Sequence, residues 1–458
     1  MPVELDILVP LTLSEDANDT SKSYKPSEAD MLFYYERFLP FRYIFQWLSH
    51  SPKPTKDFTM REFAYEHRSG IYQRYNSFAT QEEFKKSVVK SNPTRFEIGA
   101  VYTVNPNQRK NLPKTAMKPE SKELVFDIDL TDYDPVRTCC KGTDICTKCW
   151  KFIQVATKII DVALKQDFGF KNLVWVFSGR RGAHCWISDA RARNLDETIR
   201  KSIVEYLDIL GSKSVKFNNK KPLSLKKPYH PHIERSFNIV KNEFITIILE
   251  EQDPWLTTPD SKPEDKSWQQ TEELLSFLDK SLQTELRSKW QNQTGISSSK
   301  SKWEDINIYA KRVLKSQVQV NQLNDAKKEI ILYYMYPRLD VEVSRQMIHL
   351  LKSPFCVHPS TGNICVPFDP LQDISGNPED EDYGFNPTHA PNLRQIQNEL
   401  ENWNSTSGDV DSDKKLSDYE KTSLKPYIDY FGKFVTQLMK EELKQIGSKR
   451  SNEDPLEF

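Results

Sequence analysis

The chain has 458 residues with 64 basic and 65 acidic side chains, a formal net charge of -1, and 37% apolar and 11% aromatic residues. That length allows roughly two to four domains around a sizeable core, and the aromatic content excludes a wholly disordered polymer. The charge balance excludes a global cationic field that would draw the protein onto nucleic acid, so any such contact must use local patches.

The opening MPVELDILVPLTL lacks a basic n-region and carries Glu4 and Asp6, unlike a secretory leader. No apolar run approaches the roughly 18 residues that span a bilayer, so no membrane association is expected. Seven cysteines, four of them crowded together, fit a reducing compartment and a metal site better than a disulfide framework. Cytosol or nucleus is the expected location.

In chain order, residues 1–30 mix Ser, Asp, Asn, Thr and Lys and read as a loosely ordered extension, after which LFYYERFLPFRYIFQWL opens the core. The segment ELVFDIDLTDYD then alternates with period 2. Leu124, Phe126, Ile128 and Leu130 take one face, and Val125, Asp127, Asp129 and Thr131 take the other. Two carboxylates about 7 Å apart along one strand face repel each other unless a divalent cation lies between them. Paired divalent ions are how polymerases stabilise attacking and leaving oxygens. The same segment also reads as a solvated strand end, or as the first motif of a haloacid dehalogenase-type phosphatase, with Asp127 as nucleophile and Asp129 as its acid/base partner.

Next comes CCKGTDICTKC, in which Cys139, Cys140, Cys146 and Cys149 fall within eleven residues. Four thiols ending in Cys-x-x-Cys suit a closed, structural tetrahedral zinc site. An iron-sulfur cluster or a set of redox-active thiols are the alternatives. Cys185, Cys356 and Cys365 read as core thiols.

Phe152, Ala156, Ile159, Ile160, Ala163 and Leu164 predict a helix that stops at Gly169. NLVWVF and SGRRGAHCWISD predict strand, turn and strand. In that turn Gly179 and Gly182 allow close backbone approach, Arg180 and Arg181 offer forked donors to phosphate, and Ser178 and His184 add further donors. The plainer reading is a tight turn with exposed arginines and a core histidine. The order from Glu123 to Ser188 is that of an α/β core.

A second amphipathic helix is predicted from about Asp196 to Leu210, with Ile199, Ile203, Tyr206, Leu207 and Leu210 inward and Gly211 as its stop. Between Gly211 and Lys241 eight cations are opposed only by Glu234, as a nucleic-acid patch or a solvated lysine-rich loop. Residues 211–325 read as a mostly α-helical insertion. Strand character returns at YYMYPRLDVEVS, placing Asp340 and Glu342 on one strand face, and again at NICVPFD. The core would therefore be discontinuous, over 31–210 and 326–458. Residues 373–392 and 404–418 are acidic and rich in Pro, Gly, Ser and Asn, and read as mobile loops.

Several separated motifs together resemble the eukaryotic DNA primase small-subunit family, within the archaeo-eukaryotic primase superfamily. They are REFAYEHRSGIYQRYNSF, RFEIGAVY, ELVFDIDLTDYD, the four-cysteine loop, WVFSGRRGAHCW and YPRLDVEVSRQMIHLLKSPFCVHPSTGNICVP, spanning about Leu32 to Pro367. The resemblance implies an α/β, mixed-sheet primase catalytic core with the helical insertion and a zinc loop at 139–149. It implies that Asp127, Asp129 and Asp340 hold two catalytic Mg2+ or Mn2+ ions, and that the four cysteines hold one structural Zn2+. It further implies that Ser178, Gly179, Arg180, Arg181, Gly182, His184, His349, Lys352 and His358 bind the incoming nucleotide, with Glu62, Tyr72 and Arg74 as further active-site positions. Arg95 stands where many relatives have Lys.

The implied activity is template-directed synthesis of RNA primers from ribonucleoside triphosphates on single-stranded DNA, in the nucleus. The implied partners are a large iron-sulfur primase subunit and the DNA polymerase alpha complex. The phosphatase reading leaves the cysteine loop and SGRRGAH without a purpose. A non-catalytic, zinc-bearing nucleic-acid-binding subunit leaves the aspartates and phosphate-binding segments unexplained.

Overall fold

The computed structural model describes residues 24–211, 221–372, 384–406 and 416–452. Its strands form two sheets. The first contains β1 (Arg61–Glu66), β2 (Tyr72–Asn76), β3 (Arg95–Tyr102) and β4 (Pro119–Ser121) in the order β2-β1-β3-β4, and β8 (Leu351–Lys352) also pairs with β3. The second contains β5 (Leu124–Asp129), β6 (Leu173–Phe177), β7 (Gly182–Ile187) and β9 (Pro367–Phe368) in the order β5-β7-β6-β9. Each pairing among the described residues is antiparallel, so the expected mixed sheet is not seen. The reason lies in the connection. The helix between β5 and β6 carries the chain two positions across, and β7 returns by a hairpin to fill the gap between them.

β5 forms where the alternation predicts a strand. Leu124, Phe126 and Ile128 are fully buried, and Asp127 and Asp129 lie half-exposed on the other face. Val125, expected on that open face, is buried too. The strand ends at Asp129 because its carboxylate accepts the Thr131 N–H at 2.8 Å and opens the 3-10 turn Leu130–Tyr133.

The helix Thr147–Gln166 buries Phe152, Ala156, Ile159, Ile160, Ala163 and Leu164 as their spacing predicts. It stops where Gly169, at φ +63°, lets the Phe170 N–H reach the Leu164 carbonyl at 3.0 Å. Across the second sheet, Trp47 from helix Phe41–Ser49 meets Trp186 edge-on at 5.2 Å and donates to Ser188 at 2.8 Å.

Two residues, Lys122 and Glu123, join the sheets, and both are fully buried. Glu123 receives both Nη1 (2.6 Å) and Nη2 (2.9 Å) of the equally buried Arg61 on β1. This charged joint fixes the first sheet against the start of the acidic strand.

Several expectations need correction. The helix Glu197–Leu207 begins at the Asp196 cap as expected, but Ile199 is 46% exposed and Arg200 and Val204 are buried with Ile203 and Leu207. The face is rotated because the Arg200 guanidinium donates to the carbonyls of Lys122 and Glu123 in the joint. YYMYPRLDVEVS forms no strand. Tyr333 to Met335 finish the helix Gln317–Met335, Pro337 follows, and Asp340 caps the short helix Val341–Arg345. Aromatic content suggested a strand there, but packing of an amphipathic helix overrides that weak preference.

Residues 384–392 are not a loose loop in the described structure, since Phe385 stacks on Phe368 at 5.1 Å and its carbonyl accepts the Trp150 indole N–H. Residues 404–406 complete the helix Leu393–Thr406, and Asp418 begins the 3-10 turn Asp418–Lys421. Residues 373–383 and 407–415 of the acidic segments, residues 1–23 of the extension, and Lys213, Lys216 and Lys220 lie outside the described residues. At the other end of the extension, Ser27 and Asp30 form a capping box that starts the helix Glu28–Arg37.

Among the described residues after Leu207 the named elements up to Met335 are all helices: Pro231–Val240, a π-helix at Ile245–Gln252, Lys266–Ser276, Lys280–Gln291 and Ser299–Val313 precede Gln317–Met335. The last of these runs straight through position 325. Within this region Lys227 and Arg235 are ion-paired with Asp325 and Asp167 rather than forming an open cationic stripe. No helix of the described residues is long and apolar enough to cross a membrane.

Candidate active site

The β5–β7 register decides what meets what. Asp127 stands opposite His184, and Asp129 stands opposite Gly182 at the start of β7. The turn carrying Ser178 to Arg181 is therefore folded onto the acidic end of β5. Asp340 joins from a distant part of the chain, its N–H donating to the Asp127 carbonyl at 3.1 Å while its own carboxylate caps the next helix through the Glu342 N–H.

These three carboxylates differ in their surroundings. Asp129 accepts Arg181 Nε at 2.7 and 2.9 Å and the Thr131 hydroxyl at 2.7 Å. Asp127 makes no ion pair with a described Lys or Arg. Its near neighbour is His184 Nε2 at 3.5 Å, and burial, with the Lys352 charge, holds that imidazole down to about 3, hence neutral. Burial first, then the charges of Asp129 and Asp340, push the Asp127 carboxyl up to about 7. Asp132, on the turn after β5, is raised by burial and the same two charges. A buried carboxyl raised by neighbouring carboxylates is a position that a divalent cation stabilises. Sequence reading did not single out Asp132; its signal was the acid-rich run TDYD.

The turn is held closely. Gly179 has φ +86°, and a Cβ there would sit 2.7 Å from His358 Cβ and 3.1 Å from Cys365 Sγ. A Cβ on Gly182 would meet the Ile128 carbonyl oxygen at 2.3 Å. Both glycines are thus required by close approach as well as by the turn. The Ser178 hydroxyl accepts the Gly182 N–H at 3.0 Å, and Lys352 on β8 donates to the Ser178 carbonyl. The Thr361 hydroxyl donates to the Gly179 carbonyl at 2.8 Å, a contact with no signal in the sequence.

His358 Nδ1 accepts from Ser360, and burial with the cations Lys352, Arg180, Arg95 and Arg181 lowers it to about 3. Arg180 is half-buried and ion-paired to no described carboxylate. His349 is half-buried, with its carbonyl accepting the buried Lys122 ammonium at 2.6 Å. Ser178, Arg181, His184, Lys352 and His358 therefore gather around one turn, whereas His349, just before β8, lies among the charges of Lys122, Asp340, Glu97 and Arg74.

The N-terminal positions form an adjoining group. Glu62, fully buried on β1, accepts Arg74 Nε at 2.8 Å, Arg74 Nη2 at 3.1 Å, the Tyr75 N–H at 3.2 Å and the Tyr102 hydroxyl at 3.0 Å. Tyr72 donates to Glu97, which also pairs with Arg95 at 3.1 Å. Glu97 faces Lys352 across the β3–β8 register. Tyr102, Glu97 and Lys122 were missed by sequence reading, because only the folded sheet brings them to these partners.

The four cysteines converge, with their sulfur atoms all within 4.8 Å of one another. Among the described residues no other group of three or more potential ligands gathers as tightly. The cluster suits one tetrahedral zinc ion. Cys185, Cys356 and Cys365 are buried core thiols, as expected.

A family model described as DNA primase small subunit matches residues 126–370. The chain is 44% identical over 436 residues to the DNA primase small subunit of Saccharomyces cerevisiae, covering 94% of this chain and 97% of that protein. It is 42% identical over 482 residues to the Schizosaccharomyces pombe protein of the same name, with complete coverage of both. The DNA primase small subunit of Pyrobaculum islandicum is 31% identical over 162 residues, 35% of this chain and 50% of that protein. The segment that carries the aspartates, the cysteines and the arginine turn lies within the matched region, and the chain belongs to the DNA primase small-subunit family.

Proposed function

We propose that this chain is the catalytic subunit of a primase that joins ribonucleoside triphosphates into short RNA primers on single-stranded DNA. Membership of the family supports the activity. The β5–β7 register, which seats the arginine turn against the acidic strand end, carries the assignment of the site.

Asp127, Asp129 and Asp340 hold the two catalytic Mg2+ or Mn2+ ions. Bound there, such ions supply a Lewis acid for the attacking 3′-hydroxyl and neutralise the triphosphate. Asp127 favours a cation because its carboxyl is otherwise buried against two like charges. His184, kept neutral, contributes a hydrogen bond without placing a competing positive charge beside the metals. Arg180, Arg181, Lys352 and His358 bind the triphosphate and offset charge developing on the leaving pyrophosphate. Ser178, Gly179 and Gly182 shape the turn for close backbone approach. His349 closes the nucleotide site from the β8 side. The Glu62–Arg74 pair with Tyr72 forms the adjoining wall of the site.

The core is the discontinuous primase fold of the archaeo-eukaryotic superfamily, interrupted after about residue 210 by a helical insertion whose last helix, Gln317–Met335, carries the chain back into the core. The cysteines hold a structural Zn2+. The chain works in the nucleus with a large iron-sulfur primase subunit and the DNA polymerase alpha complex. Labelled triphosphate consumption with and without template tests this reading. Primase activity requires template, whereas equal consumption without template would favour a phosphatase and no consumption a binding subunit.

A further inference from the structure

Gln252 is the buried side chain of the helical region that reaches the cysteine ligands themselves. Gln252, 3% exposed, ends the π-helix Ile245–Gln252, where Asp253 turns the chain at φ +44°. Its amide oxygen accepts the N–H groups of Thr138 (2.8 Å) and Cys139 (3.3 Å), and its amide nitrogen donates to Cys139 Sγ at 3.3 Å. The Thr138 hydroxyl donates back to the Gln252 carbonyl.

A second donor set reaches a different sulfur of the cluster. The Cys146 N–H points to Cys149 Sγ at 3.2 Å, and Arg137 Nη1 lies 3.9 Å from the same sulfur. Arg137 is itself 1% exposed and tied to the Gly142 and Asp144 carbonyls. From the helical side, Lys266 reaches the carbonyls of Asp134 and Arg137, and Gln270 reaches that of Pro135.

We infer that Gln252 is the positioning residue that couples zinc retention to docking of the helical region on the core. The inference rests on the zinc reading of the four cysteines. Four thiolates on Zn2+ leave a net double negative charge, which N–H donors and a buried guanidinium stabilise. Outer-shell donors of this kind fix ligand orientation and set affinity. Gln252 fills that role from a helix more than 100 residues beyond the ligands, so its amide serves metal and docking at once. The loop it clamps follows the 3-10 turn Leu130–Tyr133 that leaves β5 at Asp129.

Two measurements on the full chain test this. Zinc content by metal analysis and zinc release to a chromogenic chelator are compared for the parent, Gln252→Leu and Gln252→Glu. Both variants are expected to release zinc about 10–100-fold faster. Hydrogen exchange on the parent, before and after zinc is stripped, should show faster exchange at residues 245–252 and 138–139 in the stripped form. That arm needs no variant to fold. Zinc-loaded parent with equal release rates from the variants, or exchange unchanged by stripping, would overturn the role of Gln252 alone. A parent purified without zinc would overturn the zinc reading and this inference together.

Discussion

Replacing Asp127 with Asn separates the catalytic role proposed for this carboxyl from its effect on the fold. In the metal-free chain the carboxyl is pushed up to about 7 from its ordinary 3.8 by burial and by Asp129 and Asp340. The unfolded chain releases this proton near 3.8, and the folded chain holds it until about 7. Between those values the folded state binds more protons, so stability falls as pH rises, and the loss is complete above about 7. The gap of about 3 between the two values corresponds to about 4 kcal/mol. That is an upper bound, because the side chain is 25% exposed; screening by solvent brings it to about 1–3 kcal/mol.

Asn cannot ionise, so the metal-free variant should unfold a few degrees higher than the metal-free parent at about pH 8, with the difference vanishing toward about pH 4. Added Mn2+ should raise the Tm of the parent and leave that of the variant nearly unchanged. Thermal unfolding in chelator and in Mn2+ across this pH range reads both effects. A variant less stable than the parent at high pH in chelator, or a difference independent of pH, would refute the reasoning.

Arg61→Met removes the two-pronged guanidinium from buried Glu123, which keeps only the longer 3.5 Å contact with His50 Nε2 among its ion-pair partners, and denaturant unfolding should show a loss of about 3–5 kcal/mol. Gly179→Ala forces a Cβ to within 2.7 Å of His358 at a positive φ. Steady-state kinetics should show KM for nucleotide raised by about tenfold or more with native circular dichroism, and an unchanged KM would contradict the cradle geometry. Arg180→Ala should weaken nucleotide binding without lowering Tm, because the guanidinium is paired to no described carboxylate; equal dissociation constants would remove Arg180 from the site.

The parts legible in the sequence are those with local rules. Period-2 alternation places Asp127 and Asp129 on the open face of β5, helical spacing identifies the buried stripe from Phe152 to Leu164, and the glycine-bounded turn falls between β6 and β7. The convergence of the cysteines follows from their spacing. What the sequence hides is long-range. Asp340 reaches the cluster as a helix cap rather than as a strand residue, because helix packing carries through Tyr333 and Tyr334. Buried charges such as Arg61, Lys122, Glu123 and Arg200 look like surface residues until their partners are known, and Arg200 then turns a predicted apolar face by one residue. Gln252 has no sequence signal at all, since its importance lies in a contact with residues 113 and 114 positions away.

The most direct test of the central claim is template-dependent incorporation of labelled ribonucleotides on single-stranded DNA with Mg2+ or Mn2+, comparing the chain with its Asp127→Ala, Asp129→Ala double variant. The account predicts primer synthesis by the parent and none by the folded double variant. Equal synthesis by both would contradict the assignment of these aspartates to the catalytic metals, and no synthesis by either, even with the large subunit added, would contradict the catalytic role itself.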